Sequence, residues 1–154
     1  MQLSESPLQM LAQEFLHVEL SAIPAEEVGP GNIDVDREVF YDKEDDDWRV
    51  TLTVEIKGID GKNDPPYKGT LVARGFYKVH ESYPHDAEKL VRITGASMLY
   101  GSIREMVAHI SARAPNGMIN LPSVSFVDPP EKPKPKKKTA KKKVVKKTSS
   151  STKS

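Results

Sequence analysis

The stretch Trp48–Lys57 limits what this chain can fold into more than any other. Val50, Leu52, Val54 and Ile56 alternate there with Arg49, Thr51, Thr53 and Glu55. Successive side chains of a strand point to opposite faces, so a period of two makes a strand with one dry face and one wet face. Such a strand is not stable alone. It needs neighbouring strands at its edges and an apolar layer over its dry side.

The neighbours are legible. Gln13–Ile23 is a first strand, with Leu16, Val18, Leu20 and Ala22 on one face and Phe15, His17, Glu19, Ser21 and Ile23 on the other. Pro24 stops it. Ile33–Tyr41 is a second, with Ile33, Val35, Val39 and Tyr41 on one face and Arg37 interrupting it. Tyr67–His80 follows Trp48–Lys57 as the fourth. Leu71, Ala73, Tyr77 and Val79 share one of its faces and Val72 and Phe76 the other, so both faces are expected to be partly covered. The Gly29-Pro30-Gly31-Asn32 cluster, the acidic Asp42–Asp47 turn and the Gly58–Pro66 loop separate the strands. Pro65-Pro66 cannot sit inside a sheet. Met1–Pro7 is polar and expected to fray. Short turns make a four-stranded antiparallel meander the economical topology.

The cover is a helix. Leu99, Ile103, Met106, Val107 and Ile110 fall at i, i+4, i+7, i+8 and i+11, one stripe of a 3.6-residue period. Ser102 and Glu105 have capping-box spacing, and Pro115 ends the run. Asp86 is an N-cap candidate, and Gly95 and Gly101 predict a short helix, a kink and then the long helix. The expected class is therefore α+β: a meander sheet covered on one face by a long C-terminal helix. The alternation does not say what covers the other face; a second copy of the chain is one solution.

Charge divides the chain in two. Residues 129–154 hold eleven lysines and one acid, a net of +10. Residues 1–128 hold 12 basic and 21 acidic side chains, a net of −9. The expected organisation is a folded domain over 1–128 and a disordered Lys/Pro/Ser-rich tail over 129–154, which has little besides Val144 and Val145 to bury. Lys136, Lys137, Lys138, Lys141, Lys142, Lys143, Lys146 and Lys147 are candidates for contact with nucleic acid or another polyanion, by release of condensed counterions. No aromatics interleave them for base stacking. A solubilising tail, or one that folds back on the acidic body, is the other reading.

The absence of cysteine excludes disulfides, thiolate catalysis and cysteine-ligated metal. His80-Glu81-Ser82-Tyr83-Pro84-His85 places its histidines five apart around a proline, not four apart on a helix face as a zinc-protease motif requires. The run Asp42–Asp47 lacks the glycine and terminal glutamate of a calcium loop. There is no glycine-rich phosphate cradle and no nucleophile elbow. No catalytic residue, metal or cofactor is expected, and the chain does not read as an enzyme. No secretory signal and no apolar run near the roughly 20 residues of a membrane helix is present, so a soluble, cytoplasmic protein without membrane insertion is expected.

One resemblance goes further. Arg104-Glu105, followed by Ile119-Asn120-Leu121-Pro122-Ser123-Val124-Ser125-Phe126, resembles the C-terminal signature of the SecB family of export chaperones, with Met98-Leu99-Tyr100 in the place of its apolar lead-in. Gln13–Pro24 resembles the family's first strand. Two features differ: Gly101 stands where the family has a proline, and the Pro/Lys tail stands where a second helix usually follows. The resemblance implies a dimer of dimers that holds unfolded or preprotein clients in apolar grooves without ATP. It implies delivery to a translocase motor, or service to an antitoxin, as the partner relationship. Met98, Leu99, Tyr100, Ile103, Met106, Val107 and Ile110 are then candidates for client binding or an oligomer interface; a stripe of this kind also serves as plain core. A nucleic-acid-associated adaptor tethered by the polylysine tail is the alternative function.

Overall fold

β3 runs from Asp47 to Gly58 in the computed structural model, which describes residues 4–24, 28 and 30–127. Its dry face is complete: Val50, Leu52, Val54 and Ile56 are all buried. β2 (Ile33–Glu44) and β4 (Tyr67–Val79) flank it, and β1 (Leu8–Ala22) lies beyond β4. Every neighbouring pair is antiparallel. The meander thus covers β2, β3 and β4, while β1 joins at β4 rather than beside β2. The ten residues from Ile23 to Asn32 make this reachable. Three strand spacings are about 14 Å, and ten residues span up to about 33 Å.

β1 departs from the expected strand in two ways. It begins at Leu8, not Gln13, because the His80 amide donates to the Pro7 carbonyl at 2.8 Å and carries the pairing to the end of β4. It also contains two bulges, at Leu11 and Leu16, where one extra residue enters the ladder. Each bulge resets the alternation. Phe15 pairs with Ala73 and Val18 with Leu71, so Phe15 shares the dry side with Val18, Leu20 and Ala22 instead of opposing them.

The Asp42–Asp47 run is mostly ladder, not loop. Asp42 pairs with Arg49 and Glu44 with Asp47, leaving Asp45 and Asp46 as a two-residue turn. Asp45 takes φ 54°, a left-handed conformation that aspartate tolerates better than most side chains.

The cover is one nearly continuous helical rod. α1 (Ala87–Leu90) passes through a π turn at Val91–Gly95 into α2 (Ala96–Ser111). Asp86 caps the start, its Oδ1 accepting from the amides of Glu88 at 3.0 Å and Lys89 at 3.3 Å. The expected kink is therefore a π turn. Ser102 and Glu105 do not cap anything, since the helix is already running. Ser102 Oγ instead donates to Gln13 Oε1 on β1 at 2.8 Å, and Glu105 lies 3.7 Å from His109 in solvent. The helix stops at Ser111, four residues before Pro115. There Ser111 Oγ donates back to Val107 O at 2.7 Å and accepts the Ile119 amide at 2.9 Å.

Val91, Ala96, Leu99, Tyr100, Ile103 and Val107 close over Tyr67, Leu71, Ala73 and Tyr77 to make the core. The Tyr77 ring lies over Gly75, where an added Cβ would meet it at 2.6 Å, and its hydroxyl donates to Gly95 O at 2.8 Å inside the π turn. Burial pushes the Tyr77 phenol far above the ordinary tyrosine range. The helical rod lies on this side of the sheet. The wet face carries threonines and cross-strand ion pairs: Arg49 Nε donates to Asp42 Oδ1 at 2.9 Å, Lys57 pairs with Asp36, and Arg74 lies 3.4 Å from Glu14.

Candidate functional site

Two features surround the helix: a strap that returns along one side of it, and an apolar flank along the other. The strap is 112–127. Tyr67, buried at the start of β4, ties its beginning: the hydroxyl accepts the Asn116 amide at 3.1 Å and donates to Gly117 O at 2.8 Å. Asn116 Nδ2 bridges Ile23 O and Pro66 O at 3.0 and 2.7 Å. Ile119 and Leu121 enter the core. Arg104 Nε then donates to Leu121 O at 3.1 Å, and the Tyr100 hydroxyl to Pro122 O. Arg37 holds the far end, with Nη2 on Ser125 O at 2.7 Å and its guanidinium 5.7 Å from the Phe126 ring centroid. Phe126 in turn meets Tyr100 edge-on at 5.9 Å. Burial raises the Tyr100 pKa, against the nearby Arg104 and Arg37 charges. Arg104 and Tyr100 of the family-like signature, together with Arg37 from β2, therefore form one clamp that holds backbone carbonyls of the strap.

The other flank is built by β1 and by the side of α2 that faces it. Helical spacing sets Met98, Ser102 and Met106 in one row, and the Ser102–Gln13 bond fixes that row against β1. β1 is an edge strand. Its bulge residues Leu11 and Leu16 are 54% and 46% exposed, Val18 is 41% exposed and Met98 39%. Exposed leucines and a valine on the edge strand and an exposed methionine on the helix that crosses it give this margin apolar, adaptable surface, and among the described residues no strand pairs with the outer edge of β1.

The seven candidate residues of the helix divide on this geometry: Leu99, Tyr100, Ile103 and Val107 are buried, whereas Met98 is exposed and Met106 and Ile110 are half-buried. Leu11 and Leu16 belong to the margin but carry no functional signal in sequence: Leu11 precedes the expected strand, and Leu16 is in step with Val18, Leu20 and Ala22 there. Arg37 had such a signal: a charge interrupting an apolar face. The candidate lysines from Lys136 to Lys147 lie outside the described residues.

The loop histidines have local partners. His80 Nδ1 accepts from the Ser82 amide at 3.1 Å, and the His85 ring packs edge-on to Tyr83 at 5.6 Å. Among the described residues no three His, Asp or Glu side chains are placed to hold a metal, and no helix is long and apolar enough to cross a membrane.

Neither a protein-family model nor a curated protein sequence matches the chain. Solved structures do. The SecB-like chaperone Rv1957 of Mycobacterium tuberculosis, solved with a ChAD peptide from the antitoxin Rv1956 (HigA1), matches with a TM-score of 0.59 at 17% identity. The match covers 77% of this chain and 91% of that one. A protein of unknown function from Streptococcus agalactiae matches with a TM-score of 0.44 at 7% identity, over 75% of this chain and 97% of that one. The chain thus has a SecB-like fold: a four-stranded antiparallel sheet under one C-terminal helix, as the resemblance over Met98–Phe126 implied.

Proposed function

We propose that this protein is an ATP-independent chaperone, a holdase that keeps unfolded client segments from aggregating. The observation that carries the reading is the apolar margin of β1 and α2, in which Leu11, Leu16, Val18 and Met98 stand beside a free strand edge. A client segment laid there gains backbone partners from the edge and side-chain burial from the margin. Fully burying an aliphatic side chain is worth roughly 1.5–3 kcal/mol, so covering the exposed half of each contributes about 1 kcal/mol. Contacts that weak and that non-directional suit many client sequences and demand several sites at once. A dimer of dimers supplies those sites and is part of the proposal, as is work in the cytoplasm. A non-enzymatic role follows from it.

The peptide bound to the SecB-like neighbour favours an antitoxin or another dedicated client; preproteins bound for export are the second client class. The test is suppression of light scattering by a reduced, unfolded model client in the absence of ATP. Stoichiometric full-length protein should suppress aggregation, and Leu16→Ser/Val18→Ser should weaken it while leaving the thermal midpoint within a few degrees. Equal suppression by both proteins, or none by either, refutes the site or the function respectively. The lysine tail supports a second reading, a nucleic-acid-associated adaptor. It is tested by the salt slope of DNA or RNA binding, which must fall when the lysines are replaced.

A further inference from the structure

The sheet's wet face is uneven in charge. β4 presents Lys68, Arg74 and Lys78 there, while the β2–β3 hairpin, Ile33–Gly58, carries nine acids against four bases, a net of −5. Within the hairpin Asp42 is matched by Arg49 and Asp36 by Lys57. Glu38 and Glu55, both on the wet face, are exposed and form none of the ion pairs found among the described residues. Phe40 stands between Glu38 and Asp42 on that face, 61% exposed.

The strap delivers the chain to this hairpin. Ser125, Phe126 and Val127 line one shallow hollow with Asp36, Arg37 and Val39 of β2. β2 is the other edge strand of the sheet, so only one strand separates that hollow from the wet face. From Val127 the four residues 128–131 span up to about 14 Å before the first lysine of the tail, enough to round a single strand. The sixteen residues from Lys132 to Lys147 span up to about 55 Å, more than the roughly 40 Å of a 12-residue strand. They carry ten lysines, no acid and one apolar pair, Val144-Val145.

We propose that the Lys132–Lys147 segment docks in cis along the wet face of its own β2–β3 hairpin, its lysines on Glu38 and Glu55 and its valines against Phe40. The short connection holds the segment at an effective concentration on the order of millimolar, so contacts that are individually weak suffice. The positive wet face of β4 turns it away from the rest of the sheet. Polyanions then compete with the hairpin for the same lysines.

The chain has no cysteine, so Ala140→Cys in the full-length protein places a single nitroxide label in the segment. Paramagnetic broadening is expected at the amides of Glu38, Phe40, Thr51 and Thr53 and not at Lys68 or Lys78. Raising the salt from about 0.05 M to 1 M shortens the screening length to about 3 Å and should abolish it. Glu38→Gln/Glu55→Gln should reduce it at low salt, with the amide spectrum otherwise unchanged. Mixing labelled with isotope-enriched unlabelled protein identifies the donor chain. The proposal is overturned by broadening that is absent at low salt, insensitive to salt, centred on β1 or β4, or as strong between chains as within one.

Discussion

Tyr67→Phe tests whether the strap is held by the hydroxyl at its start. The ring stays, so the core keeps its volume, and only one oxygen leaves. That oxygen receives the Asn116 amide at 3.1 Å and donates to Gly117 O at 2.8 Å. A net hydrogen bond is worth about 0.5–1.5 kcal/mol, and a buried group left without its partner costs about 1–3 kcal/mol. Two bonds at a residue with no exposed surface place the loss at about 2 kcal/mol. For a body of this size that lowers Tm by about 8 °C. Urea or thermal denaturation followed by circular dichroism measures it, with Tyr83→Phe, in the exposed loop, as a control expected to stay within about 0.5 kcal/mol. Amide exchange should also accelerate first at Asn116, Gly117 and Ile119, because the strap loosens before the sheet does. A Tm within 1–2 °C of the parent's, or exchange that rises evenly over the sheet, would show that the strap is held by packing and not by Tyr67.

Three more outcomes follow from the geometry. Leu99→Ala should cost about 2–5 kcal/mol by opening a cavity in the sealed core, whereas Met98→Ala, one residue away on the margin, should change stability by less than about 0.5 kcal/mol and weaken client protection; denaturation and scattering assays separate the two. Gly69→Ala should disrupt β1 pairing, since an added Cβ would lie 1.9 Å from Glu19 O, and loss of protection in β1 amides with β2–β3 still protected is the signature. The Arg49 guanidinium holds the Asp42 carboxyl below its ordinary value, so its contribution is present above about pH 4 and is lost as pH falls through the lowered value; the stability gap between parent and Asp42→Asn should close over that range in urea titrations.

The sheet's centre was readable because β3 and β4 keep strict registers: each dry-face residue of Val50–Ile56 is where a period of two places it. β1 was not, because Leu11 and Leu16 each insert a residue, and a bulge is invisible to a periodicity count until the partner strand is known. The pairing of β1 with β4 was hidden for a related reason: it joins residues far apart in sequence, and turn length speaks only for local pairs. Ser102-x-x-Glu105 matched a cap in spacing alone, since the π turn had already carried the helix through that point. The strap was visible as a family-like signature, but its mechanism was not, because carbonyls held by Arg37, Tyr100 and Arg104 carry no sequence identity.

The placement of β1 also sets an order in time. Ala22 pairs with Tyr67 and Leu8 with Val79, so the first strand synthesised has no partner until the last one emerges. At 5–20 residues per second, 45 residues of waiting last roughly 2–9 s. Throughout that interval Leu11, Leu16, Val18 and the bare strand edge are offered to the surroundings without even the helix beside them. A newborn copy of this protein is then itself an unfolded apolar strand in need of cover.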